Sequence, residues 1–337
     1  MQRARRLQDK EEIMDGNIVN LGTSETVKAT VVTKREEGMN DEMRRRIRNA
    51  NRVDRIMTGI LYGVGGFFLI LLILLAGYII IKGILDFQPE FFSFSRKGIG
   101  NQLFNTVYLV FLSLLISVPL GIAAGIYMAE YAGDNMLTKA IRVSMESLSS
   151  LPSIVIGLFG YLVFILMTPF DTNLLAGALA VSILSLPSIT TTTEDAIRSL
   201  PKSYKRGSMG LGATQWEAIT TVLLPACTPR IITGVILAAG RGFGEAAALL
   251  YTAGQSTRIN WSDWNLLSSR CPLNPMRPGE TLALHIWVLR TEGSMNANAT
   301  EIANVSAAIL VVLTLVFSLT ARYMSDRITK KATGESA

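Results

Sequence analysis

The chain has 337 residues, 49% of them hydrophobic and only 17% charged, with a net charge of +6 and a mean hydropathy of +0.36. A soluble domain of this length carries roughly a quarter charged residues, so a water-soluble globular enzyme is excluded. The basic excess follows from membrane topology, as shown below, and gives no ground for nucleic-acid binding.

Residues 1–54 mix both charge signs and hold few aromatics, and Arg44, Arg45, Arg46, Arg48, Arg52 and Arg55 precede the first apolar run. This pattern predicts a flexible extension with a basic juxtamembrane anchor. No cleavable signal is visible in it, so the first apolar run should act as an uncleaved anchor. That run, 56–81, has no charge except a lysine just beyond it. At about 1.5 Å per residue it more than spans a hydrocarbon core of about 30 Å. Five further spans are expected at 103–128, 148–169, 174–193, 226–253 and 302–323. Loop 85–102 carries Phe87, Phe91, Phe92 and Phe94, suited to a membrane interface. The connection 170–173 is tight, so spans three and four should form a hairpin.

Basic residues near span ends set orientation. The arginines before span one, then Arg198, Lys202, Lys205, Arg206 and Arg230 after span four, and Arg322, Arg327, Lys330 and Lys331 after span six, all fall on one side if there are six spans. Both termini are then cytoplasmic. The expected organisation is a cytoplasmic extension over 1–54, a transmembrane domain over 55–325 and a cytoplasmic tail over 326–337, in a multi-pass membrane protein.

The segment 194–225 is far longer than a turn between spans requires. It is polar, basic and compatible with helix, so it should fold and dock against a partner on the cytoplasmic face. The outer loop 254–301 carries Trp261, Trp264 and Trp287, and its 280–290 stretch suits a short interfacial helix. Cys227 and Cys271 lie too far apart in topology to bond, and neither suggests a metal site. The single histidine, His285, reads as a loop residue.

Ionisable groups at membrane depth usually face a cavity or a partner. Arg241 and Glu245 stand near the middle of expected span five, among Gly240, Gly242 and Gly244. Their i, i+4 spacing places them on one helical face, where they can neutralise each other. Two readings follow. The pair is a staple between helices, or Arg241 offers a guanidinium fork to an anion crossing the membrane, with Glu245 orienting it and Gly242 and Gly244 admitting backbone amides. The chain has no G-x-x-x-x-G-K-[ST] loop, hence no ATPase site of its own, and no protease or hydrolase constellation.

The 206–225 stretch resembles the cytoplasmic signature of bacterial ABC importer permeases, E-A-A-x3-G-x9-I-x-L-P. Arg206, Gly207 and Ser208 stand at the E-A-A positions, Gly212 at the glycine, Val222 at the isoleucine and Leu224-Pro225 at the end. The spacing matches throughout; Arg206, Gly207, Ser208 and Val222 depart in type, and Arg206 reverses a charge. The resemblance extends over the membrane part. Residues 152–159 (PSIVIGLF), 192–196 (TTEDA) with Pro201, and 241–250 (RGFGEAAALL) look like phosphate-transporter permeases. Residues 249–254 (LLYTAG) and 274–283 (NPMRPGETLA) look like the PstA type rather than its PstC-type partner.

The resemblance implies an all-α, six-span, type I ABC importer permease with a coupling helix between spans four and five. Tyr204, Lys205, Arg206, Gly207, Gly210, Leu211, Gly212, Ala213 and Thr214 would dock on an ATPase subunit. Gly207, Gly210 and Gly212 would supply sharp backbone geometry there. It also implies a second, PstC-type permease, two PstB-type ATPase subunits that use ATP and magnesium, and a PstS-type extracytoplasmic phosphate-binding protein. The chain itself would bind no cofactor and no metal; it would pass inorganic phosphate through Arg241, Glu245, Gly242 and Gly244 within the lipid bilayer. An importer for sulfate or molybdate shares these features. An energy-independent anion transporter would have no use for a folded 194–225 segment.

Overall fold

The computed structural model describes residues 41–94, 98–133, 135–257, 259–293 and 298–333. Most of the expected N-terminal extension and the last four residues of the tail lie outside them. Every element among the described residues is helical. Residues up to Leu74 form one unit, residues 75–337 another. In the first, helix α1 (Asp41–Leu85) begins and carries the first apolar run. Among the described residues five helices are long and apolar enough to cross a membrane, or six if a bent pair is taken as one span.

The second unit is built around α2 (Gly100–Ile126), α5 (Leu174–Arg198) and α8 (Leu224–Phe243). Two glycines one turn apart on α2 decide how closely α5 approaches. A Cβ on Gly121 would meet Ile189 at 2.7 Å, and one on Gly125 would meet the Thr193 side chain at 2.5 Å and the Thr190 carbonyl at 2.8 Å. Small residues permit such backbone proximity, the main source of packing between helices in lipid. Leu109, Leu174, Val181 and Leu249 fill one end of the core, and Ile126, Ile197, Ile219 and Leu223 the other. The long final helix α11 (Ala299–Thr333) packs its Val305 and Ile302 beside Ile99 and Leu282. The end of α1 joins it there, where Asn304 donates to Asp86 at 2.6 Å.

Two expected spans differ in outline. Span three starts after a separate amphipathic helix, α3 (Met136–Ser150), and consists of α4 (Ser153–Tyr161) with a π-turn over Leu162–Leu166. The two parts meet at a 103° bend. Pro152 has no amide proton and holds Leu151 extended (φ −69°, ψ 137°), so the helix cannot run through. Span five starts at Gln215 and ends at Phe243, ten residues short of expectation.

The chain beyond it, including the short α9 (Ala247–Thr252), closes the end of the bundle where α5 begins. The Asn173 side chain caps α5 by accepting from Ala176 N at 2.8 Å. Carbonyls of Arg277 and Pro275 accept from Leu174 N and Leu175 N at 2.9 and 2.8 Å. Arg277 is itself fully buried. Its guanidinium donates to Asn105 Oδ1 at 2.7 Å and to the Pro272 and Pro278 carbonyls, with no carboxylate partner among the described residues. Burial pushes its pKa down to about 10. His285, expected in a loop, stands in α10 (Leu282–Val288) with Nδ1 3.0 Å from Glu280 Oε1. Both cysteines are buried and free.

Replacing Arg277 with alanine orphans several buried acceptors, each costing about 1–3 kcal/mol. Arg277→Ala should therefore lower the unfolding temperature of the detergent-solubilised protein strongly. Arg277→Lys should recover only part, because an ammonium cannot reproduce the planar fork. Equal melting of wild type and Arg277→Ala would refute this role.

Candidate functional site

At the opposite end of α5, the chain turns through Pro201 into α6 (Lys202–Gly210). The helix stops at Leu211, which is 92% exposed. Gly212 follows with φ +96°, the left-handed region that side chains with a Cβ avoid. A Cβ there would meet nothing within 4 Å, so the constraint at Gly212 is backbone conformation alone. Gly207 and Gly210 lie within α6 and do not share it; neither has a positive φ. The next helix, α7 (Gln215–Ala218), opens with a capping box: Thr214 Oγ1 accepts from Glu217 N, and the Glu217 carboxylate accepts from Thr214 N. It runs through a π-turn over Ile219–Leu223 into α8.

This hairpin of short helices presents Tyr204, Arg206, Met209, Leu211 and Trp216 to the outside. Its inner side is tied to the π-turn over Tyr127–Tyr131 that ends α2. Lys205 Nζ pairs with the Glu130 carboxylate, and Gln215 Nε2 donates to the Glu130 carbonyl at 3.1 Å. All nine residues expected at a coupling surface thus lie on one contiguous segment, with Lys205 turned inward and Thr214 serving as a cap.

A cleft of about 510 Å³ opens between α3, α5 and α8. Its lining includes Arg142, Glu146, Ser188, Thr192, Glu194 and Arg241. Of the four residues expected on a substrate pathway, only Arg241 lines it. Gly242 is buried, with Val110 nearby. Gly244 ends α8, donating its amide to the Arg241 carbonyl at 3.2 Å. Glu245 lies past that helix end, so the expected shared helical face does not exist. Its Oε1 accepts from Ala248 N at 3.0 Å, capping α9. Among the described residues no ion pair joins it to Arg241.

Two carboxylates line the cleft, Glu146 and Glu194, and Glu194 is only 3% exposed. Glu194 Oε1 accepts from Arg142 at 2.8 Å and forms an ion pair with Arg198, one nitrogen of which lies 3.0 Å away. Arg198 also donates to the Met128 carbonyl at 3.0 Å. Sequence reasoning passed over Arg142 and Glu194 because they stand 52 residues apart. The available signal was Glu194, one turn before Arg198 near the end of a helix that is apolar over its first half.

Residues 121–332 match the family described as binding-protein-dependent transport system inner membrane component. The chain belongs to that family. It is 46% identical over 292 residues to the probable ABC transporter permease protein YqgI of Bacillus subtilis, covering 85% of this chain and 99% of that one. Two proteins named for phosphate transport are also similar. The probable phosphate transport system permease protein PstA of Methanocaldococcus jannaschii is 30% identical over 68% of this chain and 76% of its own length. The phosphate transport system permease protein PstA of Xylella fastidiosa is 36% identical, over 47% of this chain and 55% of its own length. A solved bacterial ABC transporter, involved in import of the acidic polysaccharide alginate, has a chain that superposes with TM-score 0.60. It shares 18% identity and covers 85% of this chain and all of that one. The fold is thus that of a type I ABC importer permease, and the chain is the membrane-spanning component of an ATP-driven, binding-protein-dependent system.

Forcing a β-branched residue into the left-handed region costs roughly 1–2 kcal/mol or more. Gly212→Val should therefore loosen the junction between α6 and α7, raising proteolytic cleavage at 211–214 in membranes. Gly212→Asn, which tolerates that region, should cleave like wild type. Identical cleavage of the valine variant would remove the backbone argument.

Proposed function

We propose that the substrate is inorganic phosphate, and that Arg241 binds it on the way through the membrane. The observation carrying this reading is Arg241 itself. It is an exposed guanidinium in the last turn of α8 with no carboxylate paired to it among the described residues, in a cleft that holds Ser and Thr hydroxyls beside Glu146 and Glu194. Guanidinium matches a tetrahedral oxyanion with paired hydrogen bonds and holds its charge when desolvated. Hydroxyls both donate and accept, which suits an anion that carries a proton at neutral pH. The names of the PstA relatives lend the same support. In this reading the full assembly adds a PstC-type permease, two PstB-type ATPase subunits and a PstS-type binding protein. Both termini face the cytoplasm, as the clusters of basic residues require.

The 202–214 segment then serves as the ATPase contact. Its exposed Tyr204, Leu211 and Arg206 form the docking surface, and the Lys205–Glu130 pair fixes that surface to α2. ATP-driven closure of the ATPase pair moves α6 and α7, and the movement reaches the cleft through the end of α2. Alternating access follows, with anion entering from the binding protein and leaving beside Arg241. Arg206, in place of the acidic residue of the signature, calls for an acidic or neutral partner on the ATPase.

Uptake of labelled phosphate by cells expressing the whole system tests both roles. Arg241→Ala should abolish uptake with assembly intact, and Arg241→Lys should restore little. Glu245→Gln should transport nearly as well as wild type, since an amide oxygen still accepts from Ala248 N. Gly212→Val should cut uptake while ATP hydrolysis continues. Phosphate uptake by Arg241→Ala, or wild-type preference for sulfate or molybdate over phosphate, would overturn the assignment.

A further inference from the structure

Arg142 reaches the cleft from α3 and touches Glu194 through one nitrogen only. Its side chain is 45% exposed, so the rest of its fork is open. Glu194 is held in a different way. It is nearly fully buried, and a second guanidinium, Arg198, shares the same carboxylate oxygen while anchored to the Met128 carbonyl. Two cations on one buried oxygen is more than neutralisation of Glu194 requires. Loss of a single partner would normally leave a buried carboxylate unpaired, at severe cost. Here either arginine can leave and the other remains.

We propose that Arg142 is a second anion-binding arm of the cleft, parked on Glu194 when the cleft is empty and exchanged onto the oxyanion when it is filled. The inference rests on the oxyanion reading of Arg241 and extends it to a residue and a mechanism of release. An arriving oxyanion competes with Glu194 for the Arg142 guanidinium, because carboxylate and phosphate oxygens make the same charge-assisted contacts with it. Arg198 keeps the vacated carboxylate paired. The reverse exchange returns Arg142 to Glu194 and expels the anion. Binding is thereby weakened by competition within the protein, as a transit site requires, since an anion held by two uncontested arginines would leave slowly.

Phenylglyoxal modification of the purified, assembled transporter, read arginine by arginine by peptide mass spectrometry, tests the exchange. With chloride as the ionic-strength control, phosphate should slow modification of Arg142 and Arg241 several-fold and leave Arg198 unchanged. Glu194→Gln should raise Arg142 reactivity without phosphate and lower the phosphate concentration for half-protection several-fold. It should also slow uptake turnover. Arg142→Gln, at an exposed position that folding tolerates, should raise the phosphate concentration needed to protect Arg241. Protection of Arg241 with no change at Arg142 overturns the proposal, as does a half-protection concentration unmoved by either variant. Protection of both arginines by sulfate but not phosphate would instead refute the phosphate assignment and leave the second arm standing. Protection of neither by any oxyanion refutes both.

Discussion

In hydrocarbon every interrupted helix must have its freed amides and carbonyls answered by protein, because no water is there to do so. The chain meets this constraint most elaborately where α5 begins. Asn173 caps the helix, the carbonyls of Pro275 and Arg277 take its first amides, and the buried Arg277 fork holds the neighbouring carbonyls in place. Asn105 ties the same knot to α2, accepting from Arg277 and donating to the Glu280 carbonyl at 2.9 Å. With one end of α5 fixed in this way, and Gly121 and Gly125 admitting α5 against α2, the position of Glu194 at the other end is determined. The cleft therefore depends on packing at both ends of α5, at its cap and beside Glu194.

Charge is arranged with the same economy at the cleft end. Glu130 and Glu194 are the two shielded carboxylates there, and each answers a basic residue from another part of the chain. Glu130 binds the short helices of the 202–218 segment, and Glu194 binds α3. Arg198 bridges the two groups, since it touches both Glu194 and the carbonyl of Met128, two residues before Glu130. The exposed helical hairpin and the wall of the cleft are thus both tied by polar contacts to the short stretch Met128–Glu130.

The long apolar runs, the all-helical class and the folded 194–225 segment were legible in the sequence, because hydropathy and the spacing of Gly212 and Pro225 are local signals. The breaks were harder to read. Extending span five to residue 253 carried the helix on through Gly240, Gly242 and Gly244; in fact Gly244 ends the helix, and Glu245 turns to serve α9. The i, i+4 rule holds only while the helix lasts. Leu148 and Pro152 read as one apolar start to span three, yet the proline divides it. Arg142 was not singled out, and Glu194 and Arg277 were read only as parts of motifs, because their partners come from distant elements; a loop arginine such as Arg277 looks solvated until the carbonyls around it are known.

Four π-turns punctuate the described helices, over Tyr127–Tyr131, Leu162–Leu166, Ile219–Leu223 and Leu289–Gly293. Each stores one residue more than an α-helical path of the same hydrogen-bonded length. The one at Ile219–Leu223 stands between the exposed hairpin and α8, the helix that carries Arg241. Reverting it to α-geometry would return about 100° of rotation and about 1.5 Å of length to the helix, with no covalent strain and no hydrogen bond permanently lost. A change of register there would therefore turn the azimuth of Arg241 relative to Trp216.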